Sequence, residues 1–119
     1  MISLGVLSWR AHETLRRTLT SYAALRPLVD EAVVFFNEIS NHDRALAAEF
    51  GFRAEGSPDN LGLLDGTRGL FSCLHGDQVL SLQNDCPVNV PPDVLAARLA
   101  DARAALASGA ADVVRLRDR

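Results

Sequence analysis

The chain has 119 residues, 48% hydrophobic and 23% charged, which is enough for one small domain with a core and too apolar for a disordered chain. Twelve basic residues, all arginine, against fifteen acidic ones leave a net charge of −3, which disfavours a non-specific nucleic-acid binder because neutralising phosphates takes clustered cations. No apolar run reaches the roughly 20 residues that span a bilayer, and no cationic segment precedes the first one, so neither a transmembrane segment nor a signal peptide is expected.

Ile2 to Leu7 is an apolar run ending in Ser8-Trp9, the pattern of a buried strand. Ala11 to Leu28 carries Leu15, Leu19, Tyr22 and Leu25 at helical spacing, with Pro27 marking the end. Glu31 to Phe36 is β-branched and aromatic, a second buried strand that stops at the turn- and cap-rich Asn37-Glu38-Ile39-Ser40-Asn41. Asp43 to Phe50 reads as a short helix stopped by Gly51, and Phe52 to Glu55 as an edge-like strand. Gly56 to Gly62 is a loop by composition. Leu63 to Leu74 has one helical apolar face, weakened by Gly66 and Gly69. Gln78 to Leu82 is a strand ending at Gln83-Asn84-Asp85. After a proline-marked connection, Asp93 is expected to cap an alanine-rich helix to about Ser108, and Asp112 to Arg117 reads as a last strand.

Alternating strands and helices predict an α/β domain, three layers with a mostly parallel sheet, over residues 1–119 as one unit. Ligands of such sheets bind beyond the carboxyl ends of the strands. Three polar clusters fall there: Ser8-Trp9-Arg10, Asn37-Glu38-Ile39-Ser40 and Gln83-Asn84-Asp85.

The order of these clusters resembles the nucleotide-binding half of a family 2-like glycosyltransferase with the GT-A fold. The similarity rests on the first strand with Ser8-Trp9, on Val33 to Phe36 followed by Asn37-Glu38-Ile39-Ser40, and on the Asn60-Leu61-Gly62 loop. It continues in Gly76-Asp77-Gln78-Val79-Leu80-Ser81-Leu82, sixteen residues after Asn60, which leads into Gln83-Asn84-Asp85. Ala110-Ala111-Asp112-Val113-Val114 is similar to the family's next element, so the resemblance covers nearly the whole chain.

The resemblance implies a Rossmann-like, GT-A-like domain that binds a UDP- or dTDP-linked sugar and serves its transfer to an acceptor hydroxyl. It implies donor contacts from Ser8, Trp9, Asn37, Glu38, Arg68, Gln83, Asn84 and Asp85. It also implies a Mn²⁺ or Mg²⁺ ion on the diphosphate, with Asp85 as its carboxylate, since hard cations take oxygen ligands. Gln83 stands where the family carries another acid and supplies no charge. Plainer roles stay open for each residue. Asp85 suits a turn before Cys86-Pro87, and Asn37, Ser40 or Asn41 a helix cap. Trp9 suits core packing, and Arg68 a solvated helix face; Asn60 and Gly62 read as structural.

No P-loop, G-x-G-x-x-G fingerprint or serine-hydrolase elbow occurs, which removes the main support for a dinucleotide domain or a hydrolase. His12, His42 and His75 lack ligand spacing and read as surface residues. Cys73 and Cys86 are too few for a disulfide framework and lack zinc spacing, so a reducing cytoplasm, with both as buried small apolar residues, is the expectation. The family's acceptor half, with its catalytic base, has no counterpart here. The expectation is a donor-binding fragment, inactive alone, that self-associates through the face the missing half would cover. The alternative is a non-catalytic nucleotide-binding or protein-interaction α/β domain.

Overall fold

Residues 1–116 are described in a computed structural model of the chain. Their strands are β1 (Ile2–Ser8), β2 (Glu31–Phe36), β3 (Arg53–Gly56) and β4 (Gln78–Gln83). Their helices are α1 (His12–Ser21), α2 (Asn41–Glu49), α3 (Gly62–Ser72) and α4 (Pro92–Ala107), with a 3-10 turn at Arg26–Leu28. The chain divides into two compact units, Met1–Val88 and a second that begins at Asn89.

The four strands form one parallel sheet in the order β3-β2-β1-β4. β1 is central, with Leu4 opposite Ala32 of β2 and Leu80 of β4. Both faces of β1 and β2 are covered, which is why they read as unbroken apolar runs rather than alternating ones. β4 lies at an edge and alternates instead: Leu80 and Leu82 are half-buried, Val79 and Ser81 exposed.

The chain steps from β1 to β2 to β3 in one direction, then returns past β1 to β4. Right-handed crossovers therefore put α1 and α2 on one face and α3 on the other. On the α3 face, Leu7, Val33 and Phe35 pack with Leu70, Cys73 and Leu74. Gly69 is the point of closest approach, where a Cβ would come within 2.6 Å of the Phe35 ring. The glycine that weakens the helical pattern in the sequence is thus the one that lets α3 lie flat on β2.

On the opposite face, α1 buries Leu15 and Leu19, and α2 buries Leu46 and Ala47. Ser40 caps α2 reciprocally: its Oγ accepts from Asp43 N at 3.1 Å, and Asp43 Oδ2 accepts from Ser40 N at 2.9 Å. Polar pairs tie the two helices, with His12 Nε2 2.5 Å from Asp43 Oδ1 and Arg16 Nη1 2.5 Å from Glu49 Oε2.

Four sequence expectations need correction. Cys73 is only half-buried and Cys86 is exposed in the turn after β4, so neither is the buried small apolar residue expected. The first helix does not run to Leu28; it ends at Ser21, and the segment around Pro27 is a separate 3-10 turn, since proline removes a backbone donor and restricts its predecessor. Asp93 does not cap α4. Pro91 holds the cap position without a side-chain bond, and Asp93 sits in the first turn, where its charge suits the helix dipole. The expected last strand is absent over residues 112–116, and Arg117 lies outside the described residues. Val113 and Val114 have strand propensity but no paired strand, and Val113 stands 82% exposed. No helix among the described residues is long and apolar enough to cross a membrane.

Candidate functional site

The strand order reverses between β1 and β4, because the chain leaves β1 on one side and returns on the other. Neighbouring crossover loops separate at such a point and leave a crevice beyond the carboxyl ends of the strands. A cleft of about 310 Å³ lies there. β1 supplies Ser8 and Trp9, and β4 supplies Gln83 and Asn84. Asn37 lines it from the end of β2, and Asn60, Gly62 and Leu63 from the loop into α3. The lining holds amides, a hydroxyl and an indole, and no charged side chain.

Hydrogen bonds fix this lining. Asn84 Nδ2 donates to Ser8 Oγ at 3.3 Å, and Asn84 N donates to Leu7 O at 3.1 Å. Helix α1 holds the segment after β4 from below. Thr18 Oγ1 donates to Asn84 O, and Tyr22 Oη to Cys86 O, both at 2.7 Å. Burial, followed by the Cys86 and Asp85 charges, pushes the Tyr22 phenol well above its ordinary value, so it stays a donor. Val88 N donates to Ser21 Oγ at 2.9 Å.

Asn37 is 5% exposed. Its Oδ1 accepts from Leu61 N at 3.3 Å and its Nδ2 donates to Gly62 O at 3.2 Å. The amide is therefore committed at both ends to the loop that walls the cleft. Gly66 makes room for it, since a Cβ there would stand 2.7 Å from Asn37 Nδ2. Asn60 Oδ1 accepts from Gly62 N at 3.0 Å, an Asx turn that shapes the same loop.

Of the residues singled out in the sequence, Ser8, Trp9, Asn37, Gln83 and Asn84 come together in the cleft, while Glu38, Arg68 and Asp85 lie outside its lining. Arg68 is on the exposed side of α3, with Nη1 3.5 Å from Asp65 Oδ1. Asp85 is exposed in the turn after β4. Glu38 is ion-paired with Arg10, whose guanidinium carbon lies 5.4 Å from the centre of the Trp9 ring. Arg10 and Glu38 both have left-handed backbone, φ 50° and 59°. Each such non-glycine residue costs about 1 kcal/mol or more. Arg10 belongs to the polar cluster expected at the end of the first strand, though with no contact assigned to it, while Leu7 and Leu63 carry no sequence signal for the cleft they line. The placement of these two leucines depends on contacts between distant segments.

Among the described residues no group of three or more His, Cys, Asp or Glu side chains could hold a metal ion. Asp85 offers one carboxylate, and Gln83 is an exposed amide. Such a set does not make a resident metal site.

The histidines are structural rather than free. His12 pairs with the buried Asp43 and stacks on His42, ring centres 4.0 Å apart. At the amino end of the sheet, Glu31 Oε1 accepts from Ser3 Oγ at 2.6 Å and from His75 N at 2.7 Å. Its Oε2 lies 2.8 Å from His75 Nδ1 and 2.9 Å from Arg53 Nη1. Burial raises the carboxyl's pKa, but the bonds from His75, Ser3 and Arg53 outweigh it and hold the group well below the carboxylate range. This cluster sits at the end of the sheet away from the cleft.

No protein-family model matches the chain, and no curated protein matches it.

Proposed function

We propose that the chain binds a nucleoside diphosphate sugar at the β1/β4 cleft, as the donor-binding half of a glycosyltransferase. The observation that carries this reading is the position and chemistry of the cleft together: a strand-end crevice at the switch point, lined by amides, Ser8 and Trp9 and free of charge. A flat indole can stack on a base. The side-chain amides of Gln83 and Asn84 and the Ser8 hydroxyl can exchange hydrogen bonds with ribose or base edges. Asn37 and Asn60 shape the wall, so their contribution is to positioning.

The negative diphosphate belongs at the mouth, where Asp85 follows β4. Asp85 is the residue that would hold a Mg²⁺ or Mn²⁺ ion brought in with the diphosphate. The ion's chemistry is to offset charge on the leaving group. In the reaction proposed, an acceptor hydroxyl attacks the anomeric carbon while the bond to the diphosphate oxygen breaks. No residue of the cleft is assigned as the base that takes the acceptor's proton.

A second reading, nucleotide binding without turnover, is favoured by one observation. The lining has no titratable acid, and Gln83, which is part of it, is an amide where the resemblance implies a carboxylate. Calorimetric titration of UDP and dTDP, with and without Mn²⁺, on wild type and Asp85→Ala tests the proposal. Metal-dependent binding that the variant loses supports the donor-site reading. Metal-independent binding, unchanged in the variant, favours the second reading. No binding by the wild type rejects both.

A further inference from the structure

The lip of the cleft holds an arrangement that fold stability does not explain. Trp9 lines the cleft and is 45% exposed. The Arg10 guanidinium lies over the Trp9 ring and is ion-paired with Glu38. The pair joins the residues just beyond adjacent strands β1 and β2. These two are the non-glycine residues with positive φ among those described. Their side chains are 66% and 35% exposed, and an ion pair this exposed contributes little to folding. Left-handed backbone at non-glycine residues gathers at ligand clamps and switch regions, where the strain serves the site.

The chemistry of the lip complements that of the cleft. The lining can hold a neutral, flat, hydrogen-bonding group but has no cation for a phosphate. Arg10 is a cation stacked directly on a lining residue. Its planar fork matches two phosphate oxygens as well as it matches the Glu38 carboxylate.

We propose that Arg10 is the anion-binding arm of this cleft and Glu38 its lock. In the free protein Glu38 holds Arg10 against Trp9. A ligand that places a flat ring in the cleft and a phosphate at its mouth draws the guanidinium from Glu38 to the phosphate. A ring stacked on the Trp9 face away from Arg10 would make indole, guanidinium and ligand one stack. This rests on the nucleotide reading of the cleft and extends it. The base lies inward, the diphosphate lies at the mouth between the ends of β1 and β4, and Glu38 competes with the ligand rather than contacting it.

The chain has one tryptophan, so fluorescence excited at the red edge, beyond the absorption of Tyr22, reports Trp9 alone. Uridine and UDP, and thymidine and dTDP, are titrated into the full chain as wild type, Arg10→Ala, Arg10→Lys and Glu38→Gln. Arg10→Ala is expected to weaken the better-bound diphosphate about tenfold, the scale of a charge-assisted hydrogen bond, and to change its nucleoside less than about twofold. Arg10→Lys, which keeps the charge and loses the fork, falls between. Glu38→Gln tightens the diphosphate about threefold or more and leaves the nucleoside unchanged, because it removes the competing carboxylate. Equal effects on nucleoside and diphosphate in the Arg10 variants overturn the proposal. Weaker binding of both ligands by Glu38→Gln also overturns it, since Glu38 would then contact the nucleoside itself. A wild type that binds none of the four ligands rejects the nucleotide reading and this proposal with it. Binding without the diphosphate-selective effects rejects this proposal alone.

Discussion

Asn84 Nδ2 donates to Ser8 Oγ across the boundary between β4 and β1, 3.3 Å apart. The bond ties the two strands where the sheet reverses direction, directly on the floor of the cleft. It is long, so a ligand hydroxyl or carbonyl can take its place at small cost. Ser8 is 3% exposed, which keeps its hydroxyl in a fixed position beneath any ligand.

Asn84→Ala is expected to weaken UDP or dTDP binding about tenfold, the equivalent of one hydrogen bond of about 1.4 kcal/mol. The backbone bond of Asn84 N to Leu7 O remains, so the fold is expected to lose less than about 1 kcal/mol. Calorimetry and urea denaturation read the two effects separately. An affinity unchanged by the substitution would place the ligand elsewhere.

Thr18→Val keeps the shape of the side chain and removes its donation to Asn84 O. The carbonyl loses that partner, and the expected cost is about 1–2 kcal/mol in urea denaturation. Ligand affinity is expected to fall as well, because α1 then no longer holds the segment after β4. A variant as stable as wild type would show that this bond does not support the cleft.

Gly69→Ala brings a methyl to within 2.6 Å of the Phe35 ring in a packed layer. Overpacking of this kind costs about 1–3 kcal/mol, more than the helix propensity alanine adds. The expected result is a lower urea midpoint with an unchanged slope. A stabilised variant would mean that α3 does not rest on β2 through this glycine.

These glycines also show where the sequence is legible and where it is not. The alternation of strand and helix follows from apolar periodicity, which is local. The unbroken runs at Ile2 to Leu7 and Val33 to Phe36 announce strands covered on both faces. Ser40, with Asp43 three residues on, forms the cap that the turn-rich segment after Phe36 suggested. Gly69 counts against a helix in isolation and is explained only by Phe35, in another strand. Val113 and Val114 favour a strand by propensity, yet a strand also needs a neighbour to pair with.

In the site, polar side chains at strand ends marked the cleft, because parallel topology brings those ends together. The use of each side chain was not legible. Asn37 reads as a ligand contact in the sequence, and nothing local shows that Leu61 and Gly62, more than twenty residues on, each bond one end of its amide. Arg10 was legible only as a member of the cluster after the first strand, since its left-handed backbone and its partner Glu38 are visible only in three dimensions.

The Glu31 cluster gives a pH dependence of stability. Its carboxyl is held below its ordinary value of 4.5 in the folded chain, so the unfolded chain binds the proton first as pH falls. The stabilisation is present above about pH 4.5 and is lost as the pH drops toward the folded value. Glu31→Gln is expected to cost about 2 kcal/mol at neutral pH, the scale of a hydrogen bond to a charged group, and to flatten the acid limb of the stability profile. Urea denaturation between pH 7 and pH 3, sampled for both proteins, checks this. Parallel profiles would show that Glu31 does not carry the acid sensitivity.

Binding of a nucleoside diphosphate in the crevice between the ends of β1 and β4 would be seen residue by residue in solution. The most direct measurement is a ¹⁵N-resolved NMR titration of the full chain with UDP and with dTDP. Saturating shifts confined to Ser8–Arg10, Asn37–Glu38, Asn60–Leu63 and Gln83–Asp85 are expected, with the Glu31 and His75 amides at the opposite end of the sheet unmoved. Shifts centred elsewhere, or none at millimolar ligand, would contradict the account.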